Sequence, residues 1–413
     1  MTISALTDWF KNNKKNSDAF LFYAFVCTLF ALPFGTAPQN IFGALSVLVW
    51  IVSGRAKNIR IFYRNSWFWP VLAFMVLPWI GLTYTADHTG LGLDYARKSY
   101  YWLYCLAAAS IAFRDFPVER LIYAFFAGLA LNAFVAAGQI AGIVPSFGRW
   151  PYHGFGDTYS TLSAFLIIGI LSASYFFKNV TEKKIKLVFL FLMLLYFSHL
   201  VALEGRNGYV TFILLSPLLP ANLFRKTSAL KFILFFIVIA GLMYLSPVVR
   251  DRIDYSLSQV KSILNADPET LSGIKHSSKE ERTYITRGAV DVFLENPVFG
   301  VGTGGFRPFM EKRGWPVDHP HNNILYMAVS FGLVGVAVLF WLFVEIIKNA
   351  WKNRKTPLGY FLLSTSLVIF VSGVFNSQIL DTGTLFIFAL SAGFQQGFPA
   401  FQKKRLNVKH KNI

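Results

Sequence analysis

Apolar residues fall along this chain in blocks of roughly 15 to 25, separated by short connectors that carry most of the charge. A helix needs about 20 such residues to cross a hydrocarbon layer. The pattern therefore predicts an all-α integral membrane protein with twelve spans, near 19–34, 38–54, 67–84, 99–113, 118–141, 159–177, 187–203, 208–224, 229–247, 322–347, 358–376 and 383–398. One connector is long. Residues 248–321 are rich in polar side chains, and within them Arg282 to Glu295 reads as an amphipathic helix with Ile285, Ala289, Val292 and Phe293 on its apolar face. Asn296-Pro297 ends it, because proline disfavours helix at the residue before it. The chain divides into nine spans over 1–247, the loop 248–321, three spans over 322–398 and a basic tail at 399–413.

Composition agrees with the pattern: 54% of the 413 residues are hydrophobic, 15% are charged, and mean hydropathy is +0.48. A soluble domain carries about a quarter charged residues, and a disordered chain has the opposite bias. The net charge of +18 would suggest nucleic acid in a soluble protein, so the placement of the basic residues decides its meaning. Of 39 Lys and Arg, 25 lie on the connectors that share a side with both termini, and ten of the remaining 14 lie in the 248–321 loop. Long translocated loops contribute little to orientation, so both termini are expected in the cytoplasm and the loop outside. Lys403, Lys404, Arg405, Lys409 and Lys411 are then topology and lipid-headgroup residues, with no nucleic-acid partner. The first block has no small-residue cleavage pattern after it and is expected to be a retained helix. Cys27 and Cys105 sit inside apolar blocks, where a thiol acts as a small hydrophobe and no disulfide framework is implied.

Two motifs carry less than their letters suggest. Gly300-Val301-Gly302-Thr303-Gly304-Gly305 satisfies G-x-G-x-x-G, but no strand precedes it and no helix opens after it in a βαβ unit, so it reads as a tight turn at the membrane surface. His319-Pro320-His321 lacks a third ligand, so no metal and no cofactor is expected.

Three outward stretches combine polar chemistry with closeness to the membrane. Glu204-Gly205-Arg206-Asn207-Gly208 joins spans seven and eight with almost no loop, which puts Arg206 at the bilayer surface as an anchor or in a site. Arg282 and Arg287 share the loop helix but are five residues apart, so only one can point into a site while the other is solvated. Asp318-His319-Pro320-His321-Asn322-Asn323 precedes span ten, where Asn322 or Asn323 is a natural cap and a histidine at a wet rim can exchange its proton near neutral pH.

Around span ten, His321-Asn322, nine intervening residues and Gly332-Leu333 resemble the signature of the superfamily of O-antigen ligases, O-antigen polymerases and O-linked oligosaccharyltransferases. The run from Arg282 through Ala289 to Asn296-Pro297-Val298-Phe299-Gly300-Val301-Gly302 is similar to its outer-loop segment, and Arg206-Asn207-Gly208 to its arginine-glycine step; Thr286 stands where the family often has tryptophan. The single large loop between spans nine and ten resembles the ligase arrangement more than that of the polymerases. The resemblance implies an undecaprenyl-pyrophosphate-linked glycan as donor and lipid A-core as acceptor, used on the periplasmic side of a Gram-negative inner membrane.

The residues suit that chemistry. Leaving pyrophosphate gains negative charge, which fixed guanidinium groups bind bidentately, so Arg206 and Arg282 are the expected catalytic partners of His321, the base for an acceptor hydroxyl. Asn322, His319, Arg287, Asp381 and Lys98 are the further substrate-binding candidates. Asp381 could equally be a helix N-cap and Lys98 an interfacial lysine. A transporter is the main alternative from another class, but it would place ionisable groups or broken helices at the midplane, whereas these candidates gather on one outer face.

Overall fold

The computed structural model describes residues 14–111, 116–147, 152–156, 158–203, 205–223, 278–314 and 316–398, with isolated positions between 233 and 250. Most of the expected ninth span, the first part of the 248–321 loop and the 399–413 tail lie outside the described residues. Among the described residues the fold is helical, with no strand. Six helices are long and apolar enough to cross a membrane: α1 (Lys14–Ala31, continued to Phe34), α6 (Glu119–Ile140), α7 (Tyr159–Asn179), α8 (Lys183–Ala202), α13 (Asn323–Lys352) and α14 (Pro357–Phe375). Shorter apolar helices lie between them: α2 (Thr36–Val52), α3 (Phe68–Leu82), α5 (Tyr101–Ala109), α9 (Arg206–Leu215), α10 (Leu218–Leu223) and α15 (Thr382–Phe394). Two more helices, α11 (Ser278–Glu295) and α12 (Phe306–Lys312), come from the long loop, and the short α4 (Leu91–Arg97) precedes α5.

The centre of the bundle is α7 and α15, whose side chains are buried almost throughout, including Phe165, Leu166, Phe386 and Phe388. α8 lies at the periphery and leaves Leu187, Phe191 and Leu194 exposed, as a lipid-facing helix does. The connectors fall into two groups. Arg55 pairs with Asp18, Arg120 donates to the Tyr23 hydroxyl and Asn349 to Ser66 at one end. The other end collects the connectors that follow α3, α6, α8, α12 and α14, with His319, His321, Asn322 and Asp381 on them.

The expected start of span four, at 99, moves upstream. The Asp87 carboxylate accepts from the amides of Gly90 (2.8 Å) and Leu91 (2.9 Å), so helix begins at Leu91 and runs through a 3-10 turn, Lys98–Tyr100, into α5. Polar Arg97, Lys98 and Ser99 look like a connector in sequence, yet they are helical.

α11 forms where its periodicity predicted. Ile285, Ala289 and Val292 are buried and share a small core with Phe306, Met310 and Val329, while Phe293 is only half-buried. Burying such aliphatic side chains stabilises by about 2 kcal/mol each. Thr286 is exposed, so the helix packs without an aromatic at that position.

The chain after α11 then enters a break in α13. Gly332 has φ 62 and ψ −151, which interrupts the helix and frees the carbonyls of Val329 and Ser330. Val301 and Gly302 amides donate to those two carbonyls, both at 2.9 Å, and the amides of Leu333 and Val334 donate back to Pro297 (2.8 Å) and Val298 (3.3 Å). Irregular backbone at membrane depth is tolerated only when it is satisfied in this way. The G-x-G-x-x-G run is therefore a buried plug rather than a surface turn. A side chain at Gly302, whose φ is 83, would lie 2.4 Å from the Gly81 carbonyl oxygen and 2.8 Å from Thr85 Cα. Gly302→Val is expected to cost about 3 kcal/mol or more. Gly54→Ala, at φ 74 with nothing within 4 Å, is expected to cost about 1 kcal/mol. Thermal unfolding of the two variants in detergent measures the difference, and equal losses would remove the packing argument.

Candidate functional site

The site assembles around the short turn 376–381 between α14 and α15. Asn322 caps α13, accepting from the amides of Ile324 (2.8 Å) and Leu325 (3.1 Å). Its Nδ2 also donates to the Val374 carbonyl at 2.8 Å. Asn207, from the arginine-glycine step, donates to the next carbonyl, Phe375, at 3.0 Å. Two of the sequence motifs thus grip successive carbonyls at one helix end. Gly208 permits the approach, because a side chain there would meet Ser163 of α7 at 2.6 Å.

The turn is then fixed from inside. Ser160 Oγ accepts from Asn376 Nδ2 (2.7 Å) and Gln378 Nε2 (2.8 Å), and the Ile379 amide donates to Asn323 Oδ1 (3.1 Å). Lys98 Nζ donates to the Leu380 carbonyl at 2.5 Å and sits 5.3 Å from the Tyr95 ring centroid. It faces the turn. Asp381 stands at the N-cap position of α15 but makes no cap hydrogen bond. Its carboxylate accepts instead from Asn376 (3.3 Å) and bonds with Thr161. Ser160, Thr161, Asn376 and Gln378 were not among the sequence candidates, since small hydroxyls within an apolar span and amides in a short turn both lack a local signal.

The histidines occupy the adjoining connector. His321 has φ 50, one of two non-glycine residues with positive φ among those described. Histidine is tolerated there better than a bulky or β-branched residue, at a cost of order 1 kcal/mol, and such conformations cluster at functional sites. Its amide donates to His319 Nδ1 at 3.3 Å, and the two rings lie 4.4 Å apart in an edge-on arrangement. His319 is therefore a neutral imidazole with its proton on Nε2. Asp318 is held by Arg307 at 3.1 Å, which anchors the connector on α12.

The two loop arginines are less closely gathered. Arg282 and Arg287 are both exposed on α11. Five residues separate them, so they point about 140° apart. Arg282 extends the buried stripe of Ile285, Ala289 and Val292, while Arg287 faces away from it. Arg206 is half-buried in the first turn of α9, beside Asn207. Among the described residues no three His, Cys, Asp or Glu side chains converge as a metal site.

Charge and burial set the protonation of this cluster. Burial pushes the Asp381 carboxyl up to about 6, opposed by Lys98 and the Thr161 hydrogen bond. Burial, His321 and Lys98 push His319 down to about 3. The folded Asp381 binds its proton more tightly than the unfolded one, so its contribution to stability grows as pH falls from about 6 to about 4. The folded His319 binds its proton more weakly, so its contribution is lost as pH falls from about 6.5 towards 3. These opposite slopes offset each other. Relative to the wild type, Asp381→Asn should lose melting temperature on acidification from pH 6 to 4, and His319→Gln should gain it. Parallel curves for all three proteins would refute the assignment.

Residues 188–340, from α8 to the middle of α13, match the family model described as O-antigen ligase. No curated protein matches the chain. The matched segment holds Arg206-Asn207-Gly208, the α11 helix with the plug that follows it, and His321-Asn322 with Gly332, and the fold gives each of these a defined place at one end of a helical membrane bundle. Over residues 188–340 the chain is similar to the O-antigen ligase family of glycosyltransferase-like, O-antigen-processing enzymes.

Proposed function

We propose that the protein is an O-antigen ligase, a metal-independent inverting glycosyltransferase that moves a glycan from undecaprenyl pyrophosphate to lipid A-core. The convergence of the arginine-glycine step and the His321-Asn322 pair on the end of α14 carries this reading, with His321 held at φ 50 beside them. In this reading the end of the bundle that bears the site faces the periplasm of a Gram-negative inner membrane. The basic end, with both termini, faces the cytoplasm.

The acceptor hydroxyl oxygen attacks the anomeric carbon, and His321 takes the hydroxyl proton. The bond from that carbon to the phosphate oxygen breaks, and the electron pair leaves with the pyrophosphate. Arg206 and Arg282 bind the charge that develops there, Lys98 adds a fixed positive field, and Asp381 and Asn322 hold the turn and the base in register. His319 contributes at the rim of the acceptor side, while Arg287, on the far side of α11 from the buried stripe, stays solvated. The Gly332 break is filled by the chain's own backbone hydrogen bonds, which favours an enzyme working at one face over an alternating-access carrier.

A direct displacement has one stereochemical outcome. Linkage analysis of the product by NMR should show the anomeric configuration inverted relative to the donor. Retention would require a carboxylate nucleophile close to the anomeric carbon and would overturn this route.

A further inference from the structure

The end of the bundle opposite the candidate site carries a cavity of about 460 Å³. It lies where the last turn of α7, the turn between α13 and α14, and α10 meet. Lys178, Arg354 and Lys355 form its rim, and Leu218, Tyr360 and the buried Leu363 form its floor. None of the described residues lining it is acidic.

We propose that this cavity binds the anionic headgroup of a phospholipid. Three membrane-length helices end here: α7 and α13 with their C-termini, α14 with its N-terminus. The cavity is therefore level with the headgroups, and basic pockets between spans on the cytoplasmic side suit anionic lipids. Three cations over an apolar floor match a phosphate continued by acyl chains. A free phosphate would leave the floor unused.

The cations stand on rigid backbone. The Arg354 guanidinium lies 4.3 Å from the Trp351 ring centroid and donates to the Trp351 carbonyl at 2.9 Å. Thr356 closes the turn, its amide donating to Asn353 O (2.9 Å) and its hydroxyl oxygen accepting from the Gly359 amide (3.0 Å). Across the cavity, the Tyr175 hydroxyl donates to the Lys355 carbonyl at 2.6 Å and its ring stacks on Tyr360 at 4.8 Å. The turn and the Arg354 guanidinium are thus in place before a ligand arrives, which favours binding.

Native mass spectrometry of the full chain tests the assignment. The protein is equilibrated with phosphatidylglycerol or phosphatidylcholine, with and without excess inorganic phosphate. Phosphatidylglycerol should be retained preferentially, and replacing Lys178, Arg354 and Lys355 by Gln should weaken retention about fivefold per cation removed. Lys355→Gln alone, at an exposed position, gives one such step if the triple variant does not insert. Equal retention of the two lipids, or unchanged retention by the variants, overturns the proposal. Full displacement by inorganic phosphate would do so too, by making this a free-phosphate site.

Discussion

His321→Ala is expected to reduce glycan transfer by about 10²- to 10⁴-fold, the usual worth of a positioned general base, while the protein stays folded in the membrane. Two observations separate this loss from a structural one. The His321 side chain is half-buried and belongs to neither of the two hydrophobic cores. The cap of α13 is made by Asn322, which alanine at 321 leaves in place. Alanine at φ 50 is less well tolerated than histidine, so a loss of about 1 kcal/mol in stability is the most the substitution should cost. His321→Gly, which relieves that backbone strain but supplies no base, should be as inactive as the alanine variant. Activity in His321→Gly would make the residue a backbone element and not a base.

The second large effect is expected at Arg282. Arg282→Lys keeps the charge and the aliphatic stem but replaces a planar fork by a point ammonium, which cannot hold a pyrophosphate bidentately. Removing one donor from a developing anion typically costs 10²- to 10³-fold in turnover, and the lysine variant should fall near the lower end. Arg287 serves as the control. It lies on the other side of α11 from the buried stripe, so Arg287→Lys should retain most activity. Wild-type turnover in Arg282→Lys, or equal losses at the two positions, would remove the pyrophosphate role from Arg282.

The sequence made some of this architecture legible and hid the rest for physical reasons. The stripe of α11 was readable because Ile285, Ala289 and Val292 repeat at helical spacing inside a polar segment. A cap at Asn322 or Asn323 was readable because the pair stands directly before an apolar run. That Asn322 also grips Val374, fifty-two residues away, needs the tertiary fold. The same holds for the inner hub. Ser160 meets Asn376 and Gln378 across more than two hundred residues, and nothing near it in the chain marks it out. The break at Gly332 was hidden because a glycine within an apolar helix is ordinary. Only the amides of Val301 and Gly302, arriving from another motif, make the interruption stable. Those contacts give a physical reason for the two motifs to occur together: one supplies the gap in α13 and the other fills it.

The central proposal is that the end of the bundle holding His321 transfers a lipid-linked glycan to lipid A-core. Proteoliposomes containing the wild type or His321→Ala, supplied with undecaprenyl-pyrophosphate glycan and lipid A-core, test it most directly by mass analysis of the products. Glycan is expected on lipid A-core with the wild type and none above background with His321→Ala. Equal product with both proteins, or a wild type that yields only a lengthened lipid-linked ladder, would contradict it.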